Sequence, residues 1–353
     1  PTATNLTSIS NYTEGDANVA ITDIVVSDAD TGEIINVTLT LVDTSTGTLS
    51  TNDGATYDGG AGMWTITDTV ANVNLALANL VFIPNADNDA DTTIAVVIDD
   101  GDEDASGSLT GIITLDVTPV NDAPTVANPI ADQSATEDVN FTFTFAADVF
   151  ADVDAGDTLT YAASGLPAWL SFDAAARTFD GLPTNADVGS VTVTVRDTDS
   201  AGAWVEDQFD ITVDNVNDPP TASGTYNMPS TDEDTISAAV QVSDILSDAS
   251  ITANDADGDT LGIAVFAKTG LGTWQYSTDG VGGWTDIGTV NPNAAVLLSE
   301  TTWVRYVPDG VNTETADFDF RAWDQTKDIA STNGTPRFGD TVPGGSTGAY
   351  SSG

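Results

Sequence analysis

The chain has 353 residues, with 7 Lys plus Arg against 55 Asp plus Glu, a formal net charge of -48, and neither Cys nor His. A field of that sign repels nucleic-acid phosphates and anionic membrane surfaces, and the missing side chains exclude disulfides, zinc thiolate sites and thiol or imidazole catalysis. At 40% hydrophobic residues, with 7 Trp, 7 Tyr and 12 Phe, the sequence is too apolar for a disordered chain and long enough for several packed cores.

Three openings match one another: PTATNLTSISNYTEGD from Pro1, PTVANPIADQSATEDV from Pro124 and PTASGTYNMPSTDED from Pro220. In each, a Glu stands thirteen positions after the Pro, as Glu14, Glu137 and Glu233. A shared offset is the mark of a repeated module. With junctions at VNDAP (120–124) and VNDPP (216–220), it divides the chain into domains at 1–121, 122–218 and 219–353.

Along the chain, ANVNLALANL (71–80) spaces its apolar residues like a helix and predicts a short connector. VNFTFTF (139–145), VTVTV (191–195), FDITV (209–213) and FDFRAW (318–323) alternate with period two, which predicts strands with one buried face. Clusters of Gly, Asn and Asp punctuate them. The expected fold is all-β, three tandem antiparallel β-sandwich modules with the last one loop-rich. The Pro-containing junctions lack a Gly/Ser run, so the modules are expected to hold their relative angle. No apolar run approaches the length of a membrane span and no charged-then-apolar leader opens the chain, which fits an interior piece of a longer exported protein, monomeric within it.

Every module has an acidic loop: SDADTGE (27–33) with Asp28 and Asp30, ADVDAGDTL (151–159) with Asp152 and Asp154, and NDADGDTL (254–261) with Asp255, Asp257 and Asp259. A third set follows a late strand, in IDDGDED (98–104) with Asp100, RDTDSAG (196–202) with Asp197 and AWDQTKD (322–328) with Asp324. Two carboxylates one residue apart can turn toward a single point, and Ca²⁺ takes about six to eight oxygens. Asp, Asn and Gly also dominate ordinary turns, and an acidic surface can simply be solvated. An EF-hand does not fit: counted from Asp255, its Gly and Glu positions hold Thr260 and Phe266.

An early Glu, an Asp-x-Asp loop, a late-strand Asp and an Asn-Asp-x-Pro linker together resemble cadherin-like repeats, which bind Ca²⁺ between successive domains. DVDAGDTLTYAASGLPAWLSF and the residues after it, through VTVTVRDTDSAG, are similar to a dystroglycan-type cadherin-like domain. NLALANLVFIPNADNDADTTIAVVIDDG and ITLDVTPVNDAP in the first domain resemble the extender repeats of giant bacterial RTX adhesins. The resemblance implies one site gathering Glu14, Asn121 and Asp122 with Asp152, Asp154 and Asp197, and another gathering Glu137, Asn217 and Asp218 with Asp255, Asp257 and Asp324. The linkers depart from the animal pattern, with Pro119 and Asn215 where an Asp is expected. Glu233 is expected to bind Ca²⁺ either within its own domain or with a partner beyond Gly353.

From about residue 221 the composition shifts: Trp274, Trp284, Trp303 and Trp323 are joined by five of the seven basic residues. Aromatic and Arg enrichment marks binding surfaces, though Trp is as often core. DADGDTLGIAV, GTWQYSTDGVGGWTDIG, VRYVPDG, FRAWDQT and GGSTGAYSSG resemble the peptide-binding domain near the tips of RTX adhesins. That resemblance implies a Ca²⁺-requiring sandwich that captures extended peptides by their free C-terminal ends. Arg321, Trp323, Asp324 and Gln325 are the first candidates for contact, and Tyr276, Asp279, Arg305 and Asp309 the second. An Arg fork suits a terminal carboxylate. On strand alternation, Arg321 shares a face with Asp319 and Trp323, opposite Phe318, Phe320 and Ala322.

The expected function is a calcium-dependent adhesin on a bacterial cell surface, exported by a type I system and serving adhesion or biofilm. A carbohydrate-binding module is the alternative, since exposed Trp and Tyr stack on sugars. Catalysis is not expected: no Gly-x-Ser-x-Gly or Gly-x-x-x-x-Gly-Lys occurs, and acids are too abundant here to mark a glycosidase pair.

Overall fold

The computed structural model describes residues 1–30, 32–101, 107–342 and 348–351. Of the expected acidic runs, residues 31 and 102–104 lie outside that part, as do 344–347 and 352–353 of the closing stretch. The fold is nearly all β and of the cadherin-like, Ig-type sandwich class.

In the first sandwich, Ile34–Leu41 buries Ile35, Val37, Leu39 and Leu41 while the residues between them face outward. That strand sits inside a six-stranded sheet ordered Thr7–Thr13, Leu109–Thr118, Thr92–Asp99, Ile34–Leu41, Met63–Thr69, Thr56–Asp58. A smaller sheet of Val19–Ala20, Val81–Pro84 and Gly47–Leu49 closes over it, with Trp64 and Phe82 fully buried. The expected helix is present at Val70–Ala78 and does more than connect. Asn74 donates to Val26 O (2.9 Å) and accepts from Val26 N (2.8 Å), tying the helix to a strand end.

The middle sandwich sets Gln133–Thr136, Trp204–Asp214, Gly189–Thr198 and Thr160–Ser164 against Phe141–Thr144, Thr178–Gly181 and Leu170–Asp173. Its core is aromatic, with Phe172 and Phe179 stacked at 4.6 Å. In both sandwiches one pair is parallel, Thr7–Thr13 with Leu109–Thr118 and Gln133–Thr136 with Trp204–Asp214. The antiparallel expectation misses these because the first and last strands run the same way when the chain enters at one pole and leaves at the other.

In the third sandwich, Phe318–Trp323, Gly262–Lys268, Ala295–Leu298 and Phe338–Gly339 face Val240–Gln241, Trp303–Val307, Thr273–Ser277 and Thr285–Asp286. Ala295–Leu298 is buried at every residue, so one-face burial fails here. The outer side is covered by a second cluster in which Ala264, Leu297 and Trp323 pack with Ala349 from the end of the chain. Among the described residues no helix is long and apolar enough to cross a membrane.

Candidate metal centres at the two junctions

The two junctions repeat one hydrogen-bond pattern. At the first, Glu14 Oε2 accepts from Val120 N (2.8 Å), Asp122 N donates to Asp154 Oδ2 (2.8 Å) and Asn121 Nδ2 donates to Asp199 Oδ2 (2.9 Å). At the second, Glu137 Oε1 accepts from Val216 N, Asp218 N donates to Asp257 Oδ2 (2.6 Å) and Asn217 Nδ2 donates to Asp324 Oδ2 (3.0 Å). Each Glu is placed by a backbone bond at the end of the parallel pair, Glu14 N to Thr118 O and Glu137 N to Asp214 O, both 3.1 Å. The shared offset of the two Glu residues is thus a strand register.

Carboxylate oxygens converge around these bonds. One oxygen each from Glu14, Asp122 and Asp154 lie within 4.8 Å of one another, as do those of Asp152, Asp154 and Asp157, and those of Asp255, Asp257 and Asp259. Two metal–oxygen bonds of about 2.4 Å span such a gap.

Several of these oxygens are buried without a hydrogen-bond partner: Glu14 Oε1, Glu137 Oε2, Asp152 Oδ2, Asp157 Oδ2, Asp255 Oδ2 and both of Asp197. Glu137 is 1% exposed and Asp197 0%. A buried carboxylate without a partner is costly, and among the described residues no Lys or Arg pairs with any of them. Burial pushes Asp197 up to about 6, with the charges of Asp152 and Asp199 adding to it. Burial likewise raises Asp122, helped by Asp87, Asp154 and Asp152, and raises Asp218, helped by Asp257 and Asp138. Asp255 and Asp259 are raised by burial too. All-oxygen donors with unspent lone pairs fit a hard cation such as Ca²⁺.

A fourth acidic group, Asp28, Asp30 and Glu33, lies in the first sandwich. There Asp28 and Asp100 lie together beside Pro1. Glu233 stands apart: it is exposed, accepts from Thr313 Oγ1 at 3.2 Å, and lines a cleft with Asp232, Asp234 and Glu314.

Sequence reasoning missed Asp199, which takes the Asn121 amide, and Asp157, which joins the Asp152 and Asp154 group. It also missed Asp87, Asp89, Asp138 and Asn185; Asp89 accepts from Ala155 N (3.3 Å) and Asn185 donates to Asp257 (2.7 Å). A signal existed for Asp199, the second acid of RDTD at the same strand parity as Asp197.

The ligand candidates scatter. Tyr276 is fully buried, its hydroxyl donating to Thr332 O (3.0 Å). Trp323 is 1% exposed and donates to Lys327 O (2.8 Å). Asp324 belongs to the second junction. Gln325 donates to Thr260 O and Glu300, both at 2.8 Å. Asp279 and Asp309 cap turns, accepting from Val281 N (2.9 Å) and Val311 N (3.0 Å). Arg305 donates to Gln275 Oε1 and lies 3.8 Å from the Trp284 ring. Arg321 Nη1 donates to Ser351 O (3.0 Å), leaving its buried Nε without a partner.

A family model described as "Putative Ig domain" matches residues 123–214. These residues carry an Ig-like domain. Over 175 residues, 48% of the chain, the sequence is 30% identical to the serine-rich adhesin for platelets of Staphylococcus aureus strain MRSA252 and to that of strain MW2. The match spans only 12% and 7% of those proteins. Among solved structures, human CDH23 EC21-23 superposes with a TM-score of 0.51 at 16% identity, covering 96% of this chain and 98% of that one. The likeness is one of fold, and it extends across all three sandwiches.

Proposed function

We propose that this chain is a Ca²⁺-stiffened piece of a bacterial cell-surface adhesin of the RTX kind. Domains at 1–121 and 122–218 act as spacers, and a domain at 219–353 binds extended peptides by their C-terminal ends on partner cells. The carrying observation is the duplicated junction: the same Glu, Asn and Asp bonds recur with buried carboxylate oxygens left over at both. Ca²⁺ would be held by Glu14, Asp122, Asp152, Asp154 and Asp197 at one, and by Glu137, Asp218, Asp255, Asp257 and Asp259 at the other. Neutralised there, the linkers resist bending, which suits a stalk.

The similarity to a protein named as an adhesin for platelets supports adhesion, an extracellular location and a non-enzymatic role. For the peptide end, the half-buried guanidinium of Arg321, which spends Nη1 on Ser351 O, is the group we assign to a terminal carboxylate. A glycan is the second reading, favoured by Trp204, which is 50% exposed with the Arg196 guanidinium 4.0 Å from its ring.

A C-terminal peptide library and a glycan array, each probed in Ca²⁺ and in chelator, test this. Free-carboxylate hits that vanish on amidation and on chelation are expected; glycan hits alone would refute the peptide reading.

A further inference from the structure

The strand Phe318–Trp323 is the outer strand of its sheet, paired on one side with Gly262–Lys268. Part of its free edge is already used: Asp324 N donates to Ala349 O (3.1 Å) and Ser351 N to Ala322 O (3.0 Å). Even-numbered residues therefore point their backbone groups outward. Asp317 O, an odd position, instead accepts from Thr269 N on the inner side (2.7 Å). By the same alternation, Phe318 and Phe320 present N–H and C=O groups to the open side, where no strand pairs with them among the described residues.

That side is a groove of about 690 Å³ between Phe318–Phe320 and the strand Thr221–Gly224, with Tyr226, Met228 and Ile251 in its lining. It adjoins the cleft of about 700 Å³ that contains Glu233, and the two share Met228, Trp274, Thr315 and Ala316. Six carboxylates line the combined trough, Asp317 and Asp319 in one part and Asp232, Glu233, Asp234 and Glu314 in the other. Among the described residues, no Lys or Arg lines either part.

We propose that this trough takes an extended peptide segment as an added β-strand on the Phe318–Phe320 edge. The segment alternates apolar side chains, which meet the floor, with basic side chains, which meet the carboxylates. Main-chain bonds would supply affinity and the alternate side chains specificity. The inference rests on the reading that the third domain binds extended peptides, and it adds a path and a charge preference that a terminal carboxylate does not need. Charge complementarity selects this occupant, because an acidic peptide would meet only like charge.

The test uses the full chain in Ca²⁺ and peptides blocked at both ends, so that no terminal carboxylate contributes. An alternating Lys-Val peptide is expected to bind, measured by calorimetry. Its counterpart N-methylated on the edge-facing amides, equal in charge, should bind on the order of tenfold more weakly, the equivalent of about 1.4 kcal/mol. The double variant Asp317→Lys/Asp319→Lys, checked for an unchanged melting temperature, should lose a similar factor for Lys-Val and gain for Glu-Val. Equal binding of the methylated peptide would reduce the effect to unspecific attraction and overturn the proposal. Failure of Lys-Val to bind at all, as when another segment of the chain holds the edge, also overturns it. Neither result touches carboxylate-end capture, which is read separately from free against amidated ends.

Discussion

Asn217 donates its side-chain amide to Asp324 across the second junction at 3.0 Å, joining a linker residue to the end of a strand 107 positions later. Asp324 is 2% exposed, so this bond helps hold a desolvated carboxylate. Replacing Asn217 with Ala is expected to cost about 2 kcal/mol, the range for a hydrogen bond to a charged group. It should also loosen the angle between the middle and third sandwiches. Scattering profiles of the variant in Ca²⁺ should broaden relative to the parent; an unchanged profile and melting curve would show that the contact is incidental.

Chelation is the wider test of the same junctions. An ion that binds only the folded chain contributes ~2.7 kcal/mol at a free concentration ~100 times its Kd. Removing several should lower the melting temperature by more than about 5 °C and shorten the particle in solution. Glu137→Gln should reproduce part of the loss, because it removes one buried oxygen's charge while keeping its shape. An identical thermal transition before and after exhaustive chelation excludes structural Ca²⁺.

Acidity should act in opposite directions with and without the ion. In the metal-free protein, burial raises Asp197 to about 6, so between about pH 4 and pH 6 the folded chain binds a proton that the unfolded chain has released. That contribution to stability is present below the ordinary carboxylate range and is lost as pH rises through about 6. Asp122, Asp218, Asp255 and Asp259 are shifted in the same direction. Carboxyls held low by hydrogen bonds, such as Asp199 and Asp279, lose their contribution only as pH falls below that range. In chelator, melting temperature should therefore rise from about pH 7 to about pH 5, and Asp197→Asn should flatten the rise. In Ca²⁺ the slope should reverse, since protons then compete with the ion.

How far the sequence announced these features depends on the range of the contact. The period-two runs and the Pro-to-Glu offset are local, so strands are legible in short stretches, and the offset of Glu14 and Glu137 corresponds to a strand register that sets both beside the linkers. Asp197 and Asp199 share strand parity, so alternation could not decide which accepts the Asn121 amide. The 199–203 turn decides it, because Gly202 N and Ala203 N bind the other oxygen of Asp199 and aim it at the linker. Trp323, a first candidate for ligand contact, is buried for a longer-range reason. Its cover comes from Ala349 and Tyr350, more than twenty positions away, and no pattern within FDFRAW records that.

The burial of Tyr276 and Trp323 separates folding from recognition in the third sandwich. Trp323→Ala would leave a cavity between Ala264, Leu297 and Ala349, at a cost of about 3–5 kcal/mol. It is expected to abolish any peptide binding by unfolding the domain, visible as a lost near-ultraviolet signal. Tyr276→Phe keeps the ring and removes the hydroxyl's hydrogen bonds, the one to Thr332 O among them, at about 1 kcal/mol each. Its binding should equal the parent's at temperatures well below the transition. If Tyr276→Phe weakened binding tenfold with its melting temperature intact, the hydroxyl would have to reach ligand, and the placement of this side chain in the core would be wrong. Arg321→Lys is the informative partner to this pair. Lys retains the charge but not the planar fork, so loss of free-carboxylate peptides with the fold preserved would assign the recognition to Arg321.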